Sequence, residues 1–285
     1  TVPERPAAGH SAMTRARFAT GSFRTVLAAL LALWLVLPLV PLAVWSFARG
    51  WRFPDLLPPD WSLQAWQYAL DPVSGVFPAL GLSVTIALCA TALAVAIGFP
   101  AGWALGRYGF PGKGIVELAI LAPVIVPGLT AAMGIHSVFI GLGLTNSIAG
   151  VVLVHLIPTL PYMILISSGV IANHDPAVAE QARSLGASPL RAFRYATLPA
   201  VFPGILAGAL FVFLVSWSQY LLTLLIGGGR VATLPLVLFS FAASGRNDIA
   251  GAIAMIYILP GILILVITSR LLSGKSAAAR GFAQL

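Results

Sequence analysis

Between Val76 and Gly106 the chain carries no charged residue. Five further runs, near 25–48, 114–140, 147–172, 201–226 and 249–272, each hold at most one. A bilayer's hydrocarbon layer, about 30 Å thick, is crossed by a helix of about 20 apolar residues, because only a helix satisfies its own backbone polar groups there. The expected fold class is therefore an all-α membrane protein with six transmembrane helices over residues 25–272. Composition agrees: 8% of residues are charged and 59% hydrophobic, against about 25% charged in ordinary soluble domains. A mean hydropathy of +0.97 leaves too little polar surface for a soluble monomer.

The net charge of +8 does not indicate a nucleic-acid partner, because the cations are scattered singly rather than gathered into a phosphate-binding patch. Topology accounts for them, since Lys and Arg are retained on the cytoplasmic side. With the N-terminus inside, the cytoplasmic segments hold Arg5, Arg15, Arg17, Arg24, Arg107, Lys113, Arg183, Arg191, Arg194, Arg270, Lys275 and Arg280, twelve of the 16 cations. The opposite side holds Arg49, Arg52, Arg230 and Arg246, together with Asp55, Asp60, Asp71 and Asp248. Both termini are expected in the cytoplasm, with residues 1–24 a disordered tail and 273–285 a second tail. The first run exceeds the about 7–15 residues of a signal core and reads as an uncleaved helix.

Between the first two runs lie Trp51, Trp61, Trp66 and Tyr68, side chains that settle at headgroup level. Ser62 can cap a short interfacial helix with Leu63, Trp66 and Leu70 on one face, ended by Asp71-Pro72. Gly98, Gly102 and Gly106, and Gly204 and Gly208, recur at the four-residue spacing that lets helix backbones approach closely. Prolines at 38, 41, 100, 123, 127, 158, 161 and 260 predict bent axes.

Enzymatic signatures are missing. Ser273-Gly274-Lys275-Ser276 imitates the end of a phosphate-binding loop, but Ser269 stands where its first glycine belongs. No ATPase site, cofactor or metal site is expected in this chain, and ATP would have to be bound by another subunit. Cys89, the single cysteine, excludes an intrachain disulfide and reads as inert packing. Glu117 is the only acid inside a run and lies near its cytoplasmic end, which disfavours an ion-driven carrier. His136 and His155 read as hydrogen-bonded packing residues.

The segment 173–200 interrupts the apolar pattern with two helix starts. Asp175 and Ser188 are N-caps, each followed by proline, and Gly186 supplies a left-handed residue between the helices. Leu198-Pro199 is expected to close the second helix. Two short capped helices around one glycine suit insertion into a partner's groove.

Glu180, Ala182, Gly186, Leu198 and Pro199 resemble the EAA loop of permease subunits of binding-protein-dependent ABC importers, with Gln181 and Ala196 departing from the usual pattern. The resemblance covers about residues 76–272 and implies a MetI-like type I fold with the first helix as an addition. It also implies ATPase coupling through those five residues, a cytoplasmic ABC ATPase dimer, a second homologous permease, an extracytoplasmic solute-binding protein and a bacterial inner-membrane location. Phe53-Pro54-Asp55-Leu56-Leu57-Pro58, Trp61-Ser62-Leu63 and Ser216-Trp217-Ser218-Gln219-Tyr220-Leu221 are similar to the second permease of polyamine-type importers, a group with relatives for ferric iron, thiamine and phosphonate. Ser216, Trp217, Gln219 and Tyr220 form the densest polar and aromatic cluster in a run and are candidates for the translocation pathway. Residues 216 and 220 are expected to share a helix face, as are 217 and the apolar Leu221, which makes one face polar. The alternative from another class is a self-contained channel or secondary carrier.

Overall fold

The computed structural model describes residues 25–31, 33–34, 36–51, 54–126 and 128–282, with residues 271–282 by backbone alone. Both the tail 1–24 and the end of the chain from 283 lie outside the described residues. The fold is helical: α1 (Leu39–Phe47), α2 (Gln64–Leu70), α3 (Val76–Arg107), α4 (Lys113–Ile125), α5 (Gly128–Gly141), α6 (Ile148–Ala172), α7 (Ala177–Ser184), α8 (Pro189–Ala192), α9 (Leu198–Trp217), α10 (Leu221–Gly227), α11 (Leu234–Ala243) and α12 (Asn247–Phe282).

Among the described residues, four helical segments are long and apolar enough to span a membrane: α3, α6, Pro189–Trp217 and Asn247–Arg270. A fifth crossing requires counting α4 and α5 together, and these meet at a bend of 98°. The expected single span over 114–140 is thus a bent pair of helices, the bend falling at one of the prolines that predicted it. Val126 adopts extended backbone (φ −70°, ψ 134°), the conformation that a following proline imposes, and Pro127 follows it in sequence. The first expected span, 25–48, includes residues outside the described set; within it α1 covers Leu39–Phe47. The six-crossing count is therefore not reached among the described residues. The last helix runs past the expected boundary at 272 to Phe282.

The glycine rows seat α3, α6 and α9 against one another. A Cβ on Gly98 would meet Met163 at 2.9 Å, one on Gly102 would meet the Ile164 carbonyl oxygen and Ser167 Cβ at 2.5 Å, and one on Gly106 would meet the Ser168 oxygen at 2.5 Å. On α9, Gly204 faces Val170 and Gly208 faces Ile166 and Met163. Backbones approach this closely only without side chains between them, so dispersion contacts replace lipid contacts along the whole α3–α6 seam. Gly251, which the spacing pattern does not single out, performs the same service between α12 and α1, where its Cβ would meet the Leu42 oxygen at 2.8 Å.

Among the described residues, the buried apolar side chains form three groups. One joins α2, α3, α9, α11 and α12 through Ala69, Ala79, Phe213, Leu234 and Ile253. Another joins α3, α5, α6 and α10 through Ile86, Phe139, Val151 and Ile226. The third joins α3, α6 and α9 toward the 173–200 segment through Ala94, Met163 and Val201. Cys89 lies on an exposed face of α3 instead of in this packing.

The short helix before α3 is present, and Ser62 Oγ accepts from the Gln64 amide at 3.1 Å. Its buried residues are Ala65 and Ala69, while Leu63 and Leu70 point outward. Trp66 anchors it by donating from Nε1 to Ser46 Oγ at 3.2 Å and by packing on Phe47. A two-residue antiparallel ladder, β1 (Ala48–Arg49) with β2 (Asp60–Trp61), closes the loop between α1 and α2. Beside it, a cavity of about 620 Å³ is bordered by Trp45, Trp51, Asp55, Arg246 and Asp248. Arg246 holds Asp248 through two bonds of 3.1 and 3.0 Å, and this hydrogen bonding raises the guanidinium above its ordinary pKa.

Candidate coupling elbow and helix break

Two places carry the sequence-predicted residues. The first is the elbow formed by α7 and α8. Asp175 Oδ1 accepts from the Ala177 amide at 2.9 Å, and Ser188 Oγ accepts from the Arg191 amide at 3.4 Å. Gly186 has φ +88°. Around it the Ala187 amide donates to the Ala182 oxygen and the Gly186 amide to the Arg183 oxygen, both at 3.0 Å. This is the paired bonding of a glycine-terminated helix, and it satisfies carbonyls that the end of α7 would leave bare. The glycine is therefore required by backbone geometry, since a Cβ there would meet open space.

Leu198-Pro199 does not close the second helix. The helical path continues from Pro189 through a π-turn, Phe193–Thr197, into α9. Pro199 offers no amide and its ring crowds the carbonyl four residues back. Widening the turn, with the Leu198 amide donating to the Phe193 oxygen, accommodates it. The α8 arm of the elbow and the span are consequently one continuous rod. Phe193 also packs edge-on against Trp103 of α3 at 5.6 Å, and Trp103 against Phe99 at 6.0 Å, so the elbow grips two spans.

Glu180 is exposed and borders two surface clefts, one of about 590 Å³ with Arg183, Ser184, Gly186, Ala187 and Pro189, the other with Gln181 and Leu185. Ala182 and Leu198 are half-buried and Pro199 is exposed. The motif overlooks three further residues. Leu185 is 90% exposed, Tyr195 74% and Leu190 73%, an apolar crest between the exposed cations Arg183, Arg191 and Arg194. Apolar side chains on an otherwise polar loop were the available signal, since exposed apolar patches in general mark interaction sites.

The second place is a break in the fifth predicted span. The helix ends at Trp217, resumes at Leu221 and stops again at Gly227. Ser216 and Tyr220 therefore do not share a continuous helical face. Ser216 is buried, with Oγ 2.8 Å from His155 Nδ1. Trp217 is buried in a stack, 6.0 Å from Phe213 and 5.1 Å from Tyr257. Gln219 and Tyr220 are half-buried; Tyr220 packs on Phe239 at 4.5 Å, and the Gln219 side-chain amide finds no hydrogen-bond partner among the described residues. His155 is a hydrogen-bonded interior residue. Glu117 lies 3.9 Å from Lys113, whose ammonium also donates to the Leu105 oxygen at 2.6 Å.

Residues 98–276 match the family described as binding-protein-dependent transport system inner membrane component. The putrescine transport system permease protein PotI of Escherichia coli (strain K12) is 29% identical over 201 residues, 68% of this chain and 71% of that protein. The spermidine/putrescine permease PotC of Haemophilus influenzae is 30% identical over 194 residues, 68% and 75% of the two chains. The trehalose permease SugB of Mycobacterium tuberculosis is 27% identical over 248 residues, 83% and 90%. In fold, the chain superposes on a bacterial ABC transporter that imports alginate with a TM-score of 0.65 at 16% identity, covering 94% of this chain and 99% of that one. It superposes on the methionine transporter MetNI with 0.55 at 15%, covering 70% and 94%. The family match spans both the elbow and the helix break, and the chain belongs to the inner-membrane permease components of binding-protein-dependent ABC importers.

Proposed function

We propose that this chain passes a small polyamine-type solute across the cytoplasmic membrane, driven by a pair of ATPase subunits that grip the elbow. Its other partners are a second homologous permease and an extracytoplasmic binding protein that delivers the solute. The observation that carries the coupling role is the exposed elbow, continuous with α9 through the π-turn and locked to α3 by Phe193 and Trp103. Pressure on the crest moves a rod into the membrane instead of flexing a loop. Glu180, Ala182 and Gly186 form the seat, and Leu198 and Pro199 the transmission into the span. ATP binds to the partner subunit.

The polyamine reading is supported by the runs around residues 53–63 and 216–221 and by the putrescine and spermidine permeases among the relatives. Ferric iron, thiamine or phosphonate would use the same machinery. Gln219, with Tyr220 beside it, offers a neutral amide at the break, so charge selection falls to the binding protein. A self-contained carrier is disfavoured by Glu117, which is placed beside Lys113 at the start of α4.

One labelling experiment tests both orientation and docking. Leu185→Cys in a Cys89→Ser background reacts with a membrane-impermeant maleimide in inside-out vesicles stripped of ATPase, and not in intact cells. Rebinding the ATPase protects it. Labelling from outside the cell reverses the topology, and undiminished labelling in an active, ATPase-bound complex removes the elbow from the interface.

A further inference from the structure

The break between Trp217 and Leu221 contains neither glycine nor proline, so a local sequence preference does not explain it. One buried imidazole spans it. His155 of α6 places Nδ1 2.8 Å from Ser216 Oγ, before the break, and Nε2 2.9 Å from Thr223 Oγ1, after it. Thr223 Oγ1 in turn donates to the Gln219 carbonyl at 3.0 Å, and the Gln219 amide donates to the Ser216 carbonyl at 3.2 Å. His155, Ser216 and Thr223 are all buried.

Counting protons assigns the direction of the chain. A threonine hydroxyl has one proton, and Thr223 gives its proton to Gln219. It must therefore accept from His155 Nε2–H. In the neutral imidazole that leaves Nδ1 as acceptor, which takes the Ser216 hydroxyl proton. From Ser216 through His155 and Thr223, each donor proton is used once, and the relay ends on the Gln219 carbonyl as acceptor. Thr159 Oγ1 donates to the His155 carbonyl at 2.7 Å, tying a neighbouring turn of α6 to the same point.

We propose that His155 is the positioning residue of the translocation step: with Ser216 and Thr223 it holds the broken segment 218–220 to α6 and sets where Gln219 stands. The inference rests on the reading of Gln219 as a pathway residue. Because Ser216 lies in the last turn of the rod that begins at the elbow, while Thr223 lies beyond the break, movement of α9 relative to α6 loads the bonds at His155 directly. The staple thus ties the position of Gln219 to the state of the elbow. A chain that loses it retains its helices but no longer links the two.

The test uses the whole complex, permeases with ATPase and binding protein, in proteoliposomes, with ATPase activity and radiolabelled putrescine uptake as readouts. Thr223→Val keeps the shape and removes the hydroxyl. It is expected to assemble in wild-type amounts, to raise ATPase activity without binding protein severalfold, and to lower uptake about tenfold, the loss expected when a buried bonded hydroxyl is withdrawn. Thr223→Ser restores coupling. Coupling in Thr223→Val equal to wild type overturns the proposal. So does equal damage in Thr223→Val and Thr223→Ser, or failure of Thr223→Val to assemble, since each assigns the network to packing. Gln219→Leu reads the pathway assignment separately. Unchanged uptake there, beside uncoupling in Thr223→Val, removes the solute contact and leaves the staple. Lost uptake there with Thr223→Val unaffected removes the staple and leaves the contact.

Discussion

Gly186→Val abolishes transport while the protein still inserts into the membrane. The residue sits at φ +88°, where a β-branched side chain is an outlier that costs about 1–3 kcal/mol. Nothing crowds the position, so the chain has room to relieve the strain by turning the backbone. Doing so breaks the Ala187-to-Ala182 and Gly186-to-Arg183 bonds and swings α8 away from α7. The seat formed by Glu180 and the crest at Leu185 and Leu190 then cannot meet one rigid partner together. Because the elbow contributes little to the packed groups, the spans are expected to fold normally. Uptake should fall to background, ATPase should no longer co-purify, and membrane-inserted protein should stay at wild-type levels. Gly186→Ala, with less side chain to place, should retain part of the activity; full activity in Gly186→Val would mean the left-handed turn is not needed for coupling.

Gly102→Val produces the opposite pattern, loss of the folded protein itself. Its Cβ would stand 2.5 Å from the Ile164 carbonyl oxygen and from Ser167 Cβ, and the oxygen is backbone that cannot swing aside. Overpacking commonly costs about 1–3 kcal/mol, and here the seam must open along its length because Gly98 and Gly106 sit on the same row. Separating α3 from α6 also strips the shared contacts of Ala94, Met163 and Val201. The expected result is a steep fall in thermal stability and in assembled complex, measured by size-exclusion chromatography of detergent-solubilised protein. Gly81→Val on α3, where a Cβ meets nothing within 4 Å, is the matched control and should behave as wild type. Equal stability of both variants would contradict close α3–α6 packing.

These two positions also show what a sequence discloses. Gly102 was legible because small residues at a four-residue spacing in an apolar run have few other uses, and Gly186 because capping residues and prolines on either side bracket a turn. The proline before Gly128 signalled a bend but not its size, since a proline removes a bond without dictating how neighbours reseat the axis. The break after Trp217 left no local trace. Ser218, Gln219 and Tyr220 are not helix breakers, and the imidazole that holds the break sits 61 residues from Ser216 in sequence. Leu198-Pro199 misled for a related reason: proline forbids the regular bond, yet a π-turn supplies another, so the helix continues where propensity says it stops. Hydropathy likewise counts apolar length and is blind to a 98° corner, so it does not tell a straight crossing from a bent pair.

In the proposed mechanism, motion enters this chain from an ATPase through the elbow and not from an ion gradient through a membrane-embedded acid. Uptake of radiolabelled putrescine into proteoliposomes containing the permeases and ATPase, with binding protein outside and ATP inside, measures it most directly. Transport should require hydrolysable ATP in the lumen, persist when a protonophore collapses the proton gradient, and vanish in Gly186→Val. Uptake that proceeds without the ATPase subunit and follows an imposed proton or sodium gradient would contradict the account.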